Sequence, residues 1–369
     1  MTNHDLAGKL VEWYQEHRRE LPWRNTKDPY KIWLSEIILQ QTRVAQGLPY
    51  YKSFIKVYPK LPQLAKAPER DILRLWQGLG YYSRARNLHA CAKTVWKDYQ
   101  GKFPNSFDGL RQLKGIGDYT AAAIASFAYN ERVAVLDGNV FRVLARVFGL
   151  HHDIRSTQGK KRFAAVANGL LPEKEPGTYN QAIMEFGALH CTPRNPKCSS
   201  CPIQQSCVAF KQDLQEVLPV KSKLAKPTRR IFYYVVIRSG SRVAMKQRGV
   251  GDIWSGLFDF PILESKSRLT KIKLARWLSN ELGRRAPEIQ ITGEYKQVLS
   301  HQVIHARFVE VEWTSMKLPA KPIFDGVRFY PPSQVLKLPK SVLISRYLDD
   351  RRYPRELVNL HPGAVKRRT

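Results

Sequence analysis

With 369 residues, the chain is long enough for two domains with sizeable cores, which excludes a peptide or a tail. Its 61 Lys and Arg against 31 Asp and Glu leave a net charge of +30, far more than solubility requires, so the natural partner is a polyanion, with nucleic acid first. No stretch is apolar for long enough to span a bilayer and the N-terminus lacks a basic-then-apolar leader, so no membrane partner and a reducing, intracellular (cytoplasmic) location are expected.

Up to about residue 210, apolar residues recur every three or four positions, as in Leu6, Leu10, Trp13 and Tyr14, then Ile32, Trp33, Ile37 and Leu39. This half reads as helices. Glu36 sits inside the second of these apolar patterns, where loss of water raises a carboxyl pKa and suits it to donate a proton. The plainer reading is a wet face shared by Glu36, Gln40 and Arg43. Cys91, among Leu88, Ala92 and Val95, reads as a small core residue.

Phe107, Leu110 and Leu113 predict a short helix, followed by the turn Lys114-Gly115-Ile116-Gly117 and a second helix over Thr120 to Ala128. Two glycines let the backbone turn tightly and bring N–H groups at the second helix's start close to a phosphate oxygen, with Lys114 adding charge. A lone Gly-x-Gly is more often an ordinary turn, but the basic composition favours the phosphate. Asp137 follows the apolar run Val133 to Leu136 and precedes Val140 to Phe148, which places it at a helix N-terminus. There the partial positive charge favours its ionised form, so an anion is expected.

Cys191, Cys198, Cys201 and Cys207 follow in the pattern C-x6-C-x2-C-x5-C. Four thiols from one loop suit a tetrahedral soft-metal site better than two disulfides. Zinc and an iron–sulfur cluster are both open on spacing, and [4Fe-4S] is preferred because zinc patterns usually pair two C-x2-C units. Residues 211–230 are basic and punctuated by Pro219 and Pro227, as in a linker. Beyond them, strands are predicted at Ile231 to Ile237, Arg242 to Lys246, Ile289 to Tyr295 and Arg307 to Trp313, with a helix around Lys271 to Leu282, so the second half is α+β.

The hairpin, the aspartate about twenty residues later and the cysteine loop together resemble the helix-hairpin-helix DNA glycosylases with an iron–sulfur cluster, over most of residues 5–210. More closely, Leu21-Pro-Trp-Arg24, Glu36 with Leu39-Gln-Gln-Thr42, Gly78-Leu-Gly-Tyr-Tyr-Ser-Arg-Ala-Arg-Asn87 and Asp137-Gly-Asn139 resemble the MutY-type adenine DNA glycosylases. The resemblance implies a mainly α catalytic domain over residues 1–210, a six-helix barrel plus a [4Fe-4S] subdomain on the four cysteines. It further implies a linker over 211–230 and an α+β, Nudix-like domain over 231–369 that inspects 8-oxoguanine. The implied activity is monofunctional removal of adenine opposite 8-oxoguanine or guanine in duplex DNA, by a protein acting as a monomer.

In that scheme Glu36 protonates the adenine ring and Asp137 stabilises or briefly captures the sugar cation, with Asn139 and Tyr119 in support. Bifunctional relatives place a Schiff-base lysine where Tyr119 stands, and tyrosine cannot replace it. Gln41 and Tyr81 form the wedge that offsets the cost of extruding the base, and Thr42 touches the opposite base. Arg24 and Lys114 contact or position the phosphates, with Gly115 and Gly117. Leu299-Ser300-His301 matches the family's Phe-Ser-His segment, with leucine for the aromatic. Ser300 and His301 keep the groups to read a base edge. The helix around residue 276 offers Arg276, Asn280 and Glu281 in place of a Nudix hydrolase's Arg-Glu-x-x-Glu-Glu, so no phosphohydrolase is expected. The alternatives are a glycosylase/lyase for oxidised pyrimidines, disfavoured by Tyr119, and a non-catalytic iron–sulfur DNA-binding protein. The latter would gain nothing from two carboxylates beside a phosphate-rich ligand.

Overall fold

The computed structural model describes residues 3–223, 225–283, 288–351 and 353, so the end of the expected second domain, 354–369, lies outside the described residues. They form two compact units: residues up to 66 with 87–223, and residues 67–86 with those from 225 onward.

Among the described residues up to 211 run twelve α-helices: α1 (Asn3–His17), α2 (Pro29–Leu39), α3 (Val44–Val57), α4 (Leu61–Lys66), α5 (Glu69–Leu75), α6 (Tyr82–Asp98), α7 (Phe107–Arg111), α8 (Asp118–Tyr129), α9 (Gly138–Phe148), α10 (Thr157–Leu170), α11 (Pro176–Leu189) and α12 (Val208–Lys211). Asp28 caps α2 by accepting from the Tyr30 N–H at 3.0 Å, and Pro29 supplies a first-turn residue with no N–H to satisfy. α2 is apolar nearly all round because it packs against both α3 and α8. α9 turns Val140, Val143, Leu144 and Val147 into a core shared with Leu10 of α1, Phe163 of α10 and Phe186 of α11. Each such side chain contributes about 1.5–3 kcal/mol by leaving water. Gly187 lets α11 approach the start of α9, since a Cβ there would stand 2.7 Å from Asn139 Cβ and 2.9 Å from the Asn139 carbonyl oxygen.

The expected linker divides into two parts. Leu214, Leu218 and Val220 pack on the first unit's core, because their apolar side chains find a surface there, whereas 225–229 is exposed and strand structure begins at Thr228.

The described residues of the second unit hold a mixed sheet of eight strands: β1 (Thr228–Ser239), β2 (Arg242–Gln247), β3 (Phe258–Asp259), β4 (Ile262–Ser265), β5 (Gln290–Ile291), β6 (Tyr295–Val298), β7 (Gln302–Glu312) and β8 (Arg328–Tyr330). β1 pairs in parallel with β7 from Thr228 opposite Gln302 to Arg238 opposite Glu312, and the other pairs are antiparallel. β1 is buried on both faces, which explains its unbroken apolar run. Phe232, Tyr234 and Val236 face a core with α15 (Val342–Asp350), while Ile231, Tyr233 and Val235 face α13 (Lys271–Leu282). α14 (Pro332–Val335) is a single turn between β8 and α15. The one strand predicted over Ile289 to Tyr295 is two, because Thr292 turns its hydroxyl to the Phe308 N–H at 3.0 Å and interrupts the ladder. Among the described residues no helix is long and apolar enough to cross a membrane.

Candidate active site

One pocket in the first unit is lined by Arg19, Arg24, Glu36, Tyr119, Asp137 and Glu185, together with Thr42 and Asn139. Glu36, on α2, is 5% exposed, and its Oε2 accepts a hydrogen bond from the Tyr119 hydroxyl on the first turn of α8 at 2.6 Å. Burial pushes the Glu36 carboxyl up to about 7; the Tyr119 hydroxyl pulls it down less, and the charge of Asp137 pushes it further up. Burial, then the two carboxylates, drives the Tyr119 hydroxyl well above its ordinary range, so it remains a donor. With Oε2 engaged, Oε1 is left to carry the proton.

Asp137 is the N-cap of α9. Its Oδ1 accepts from the backbone N–H groups of Asn139 (2.8 Å) and Val140 (2.7 Å), and its Oδ2 from the Asn139 side-chain amide (2.6 Å). These donors lower its pKa as the helix position predicts, but burial outweighs them and the net shift is upward. A cap in a dry pocket thus loses more to desolvation than it gains from its donors, an upward contribution from burial that the helix position alone does not reveal. Asn139 is held in turn by Arg142, which donates to Asn139 Oδ1 at 2.8 Å, to the Gly187 carbonyl at 2.6 Å and to the Cys191 carbonyl at 2.8 Å.

The opposite wall is Glu185 on α11, 1% exposed, gripped by two arginines. Arg19 donates to it at 2.8 and 2.5 Å, and Arg24 at 2.8 and 2.6 Å. Burial pushes the Glu185 carboxyl up, yet the two guanidinium groups win and hold it down at about 2. Arg24, expected among the phosphate contacts, therefore has its donors committed to Glu185 and to the Arg19 carbonyl, inside the pocket wall. Sequence reasoning missed Arg19, Arg142 and Glu185. A signal existed for Arg142, since it and Arg146 are charged positions four apart in an otherwise apolar helix.

Thr42 lines the pocket at the corner after α2, where the Gln40 side chain donates to the Thr120 hydroxyl at 3.1 Å. Gln41 beside it is exposed and left-handed, φ +55°. Lys114, Gly115 and Gly117 are exposed on the turn between α7 and α8, outside the pocket. Gly115 has φ +83°, and a Cβ on it would stand 2.7 Å from Asn87 Cβ. Gly117 caps α8 without a side chain, so the N–H groups at that end have no side-chain cap and suit an anion.

The four cysteines are unbridged and line a second cavity with Arg146, Phe186 and Ile203. Among the described residues, no three His, Cys, Asp or Glu are gathered tightly enough to hold a single metal ion. The donor set nevertheless fits an iron–sulfur cluster: four soft ligands around one cavity, with an arginine 2% exposed behind them. Arg146 donates to Cys191 Sγ at 3.3 Å and to the carbonyls of Thr192, Pro193, Gln215 and Leu218. Burial pushes the Cys201 thiol up to about 12, so a thiolate there needs metal charge beside it.

In the second unit, Tyr81, Ser300 and His301 line a common cavity with Ile253 and Trp254. Ser300 and His301 are exposed at the turn between β6 and β7, with Ser300 Oγ 3.0 Å from His301 Nδ1. Leu299 is partly buried against the core, while Val298 before it is 62% exposed. His305, left unassigned from sequence, pairs with Glu294 at 2.7 Å.

Comparison with known proteins bears on both units. A family profile described as HhH-GPD superfamily base excision DNA repair protein matches residues 34–168, one described as NUDIX domain matches 232–350, and one described as the iron-sulfur binding domain of endonuclease III matches 191–207. The adenine DNA glycosylase of Buchnera aphidicola subsp. Schizaphis graminum is 36% identical over 308 residues, covering 83% of this chain and 86% of that protein. The adenine DNA glycosylase of Mus musculus is 42% identical over 216 residues, 56% of this chain and 42% of its own length. A solved thermostable thymine-DNA glycosylase superposes with a TM-score of 0.53 at 29% identity, covering 57% of this chain and 97% of that one.

Proposed function

The chain belongs to the adenine DNA glycosylase family, and from that premise we propose that it hydrolyses the N-glycosidic bond of adenine paired with 8-oxoguanine or guanine in duplex DNA. The observation that carries this reading is Glu36 and Asp137 on one pocket, the first holding its proton to about pH 7 and the second fixed by three N–H donors. An adenine extruded into that pocket takes a proton from Glu36 on a ring nitrogen. The bond from the sugar carbon to the base then breaks, its electron pair leaving with the base, and the cationic sugar is stabilised by Asp137. Water adds to that carbon and passes a proton to the Glu36 carboxylate, which restores the acid and leaves free adenine and an abasic site. Tyr119 keeps Glu36 oriented, Asn139 keeps Asp137 oriented, and the absence of an amine at position 119 supports hydrolysis without strand cleavage.

The same reading gives the phosphate to Lys114, Gly115 and Gly117, the wedge to Gln41 and Tyr81, the opposite base to Thr42, Ser300 and His301, and a positioning part to Arg24. It divides the chain into a catalytic domain, a linker and a Nudix-like domain over 1–210, 211–230 and 231–369, and has the protein act on DNA as an intracellular monomer. The cofactor is a [4Fe-4S] cluster, for which Cys191, Cys198, Cys201 and Cys207 are the ligands; when bound, it supplies the metal charge that keeps buried thiols as thiolates and orders the basic loop bearing Arg194 and Lys197. Replacing Arg146 with glutamine removes most of the bonds that tie this loop to α9. It is expected to cost about 3 kcal/mol or more, read as a lower iron-to-protein ratio and an earlier denaturant midpoint.

The substrate reading is tested with duplexes bearing adenine opposite 8-oxoguanine, adenine opposite guanine and an oxidised pyrimidine, followed by alkali cleavage of abasic sites. Breaks at both adenines, fastest opposite 8-oxoguanine and absent without alkali, are expected. Breaks at the pyrimidine alone would overturn the assignment.

A further inference from the structure

The short turn that carries Tyr81 is conformationally costly. Gly78 (φ +100°), Gly80 (φ +74°) and Tyr81 (φ +47°) put three left-handed residues within four positions, and Tyr81 has a Cβ to accommodate. Such a backbone persists only where its surroundings over-determine it. Part of the support is local: the Trp76 indole N–H donates to the Gly80 carbonyl at 3.0 Å, and the Arg84 guanidinium lies 5.8 Å from the Tyr81 ring centre.

The rest comes from the C-terminal fold. Tyr82, 4% exposed, donates its hydroxyl to the Lys340 carbonyl at 3.2 Å and accepts from the Gly78 N–H at 3.4 Å. The Lys340 N–H donates to Gln77 Oε1 at 3.2 Å, and the Gln77 amide donates to the Ser345 hydroxyl on α15 at 3.1 Å. Lys340 is itself 4% exposed, with Nζ closing the turn after α14 through the carbonyls of Val335 (2.6 Å) and Leu338 (2.7 Å), and its backbone bridges to Phe258 of β3. Beyond the turn, Arg86 donates to the Ser255 carbonyl at 2.6 Å. Both ends of the Tyr81 turn are thus fastened to loops and α15 of the same C-terminal fold that carries Ser300 and His301, and Tyr81, Ser300 and His301 border one cavity.

We propose that Gln77, Tyr82 and Lys340 form a clasp that fixes Tyr81 against the Ser300–His301 hairpin and thereby sets the preference for the base opposite adenine. The inference rests on the reading of Tyr81 as wedge and of the hairpin as reader of that base. The clasp residues are positioning residues. The adenine pocket is built wholly from the other unit, so loosening the clasp leaves Glu36 and Asp137 in place and acts on recognition instead of chemistry.

The test uses the full chain with Tyr82→Phe, which keeps the ring packing and removes only the hydroxyl, and with Gln77→Ala. Excision of adenine opposite 8-oxoguanine and opposite guanine is measured under single turnover over a range of enzyme concentrations. A 2-aminopurine beside the mispair reports unstacking by the wedge. One hydrogen bond of ordinary net strength corresponds to roughly five-fold. Each variant is expected to lose about that much of the 8-oxoguanine preference and part of the fluorescence rise, with half-saturation shifted, the saturating rate opposite guanine kept and the melting temperature within a few degrees of wild type. An unchanged preference and unchanged fluorescence in both variants overturn the clasp. A wild-type protein that shows no 8-oxoguanine preference overturns the underlying substrate reading, a result visible before any variant is compared.

Discussion

Replacing Asp137 with asparagine lowers the rate of adenine release by roughly 10³-fold while leaving duplex binding in place. Asparagine is as good an N-cap as aspartate, so its carbonyl can keep the N–H groups of Asn139 and Val140 and α9 remains capped. What disappears is the negative charge that faces the developing sugar cation. The second oxygen of Asp137, which now accepts from the Asn139 amide at 2.6 Å, becomes a donor facing a donor. Asn139 cannot rotate freely to relieve this, because Arg142 already uses its carbonyl. Single-turnover kinetics together with a gel-shift measurement separate the two effects. Full activity in the variant would remove Asp137 from the mechanism.

Replacing Glu36 with glutamine lowers excision by about 10²–10⁴-fold, the range a positioned general acid supplies. The wild-type enzyme gives a second readout. Glu36 must carry its proton to act, and burial keeps that proton up to about pH 7, so the rate is expected to be flat below that value and to fall about ten-fold per pH unit above it. Stability moves in the opposite sense. A carboxyl whose folded pKa lies above its ordinary 4.5 leaves folding unpenalised below 4.5, and the cost of the buried anion grows as pH rises towards about 7 and then levels off. Glu36→Gln is therefore much slower but more stable than wild type at pH 8, by an amount on the order of 3 kcal/mol. Denaturant titrations at pH 5 and pH 8 check this: the gain is expected to be several-fold larger at the higher pH. An equal gain at both would trace it to packing.

Much of this site is legible along the chain because its signals are local. Asp137 sits between an apolar run and an apolar helix, Glu36 sits inside an apolar helix, and four cysteines fall within one short loop. The seven apolar residues from Ile231 to Ile237 read as a strand, and in the fold that strand is buried on both sides. Features that depend on distant partners are not legible in this way. Glu185 meets Arg24 across 161 positions and Arg19 across 166, and nothing near either arginine announces a carboxylate. Arg24 therefore reads from sequence as a phosphate or positioning contact, whereas its terminal N–H groups are turned to Glu185 in the pocket wall. The direction of the Asp137 shift follows the same logic, since the capping donors can be read from sequence but the depth of burial cannot. The grouping of residues 67–86 with the C-terminal unit depends on Gln77, Tyr82 and Arg86, whose partners lie more than 160 positions away.

Gly187 brings the start of α9 against α11 because it has no side chain of its own to hold Asn139 away. α11 also carries Glu185, so the separation of the two acidic walls of the cleft is set in part by the Gly187 main chain seated on Asn139. That spacing behaves as a fixed gauge. A side chain at position 187 would push the two helices, and with them Asp137 and Glu185, apart.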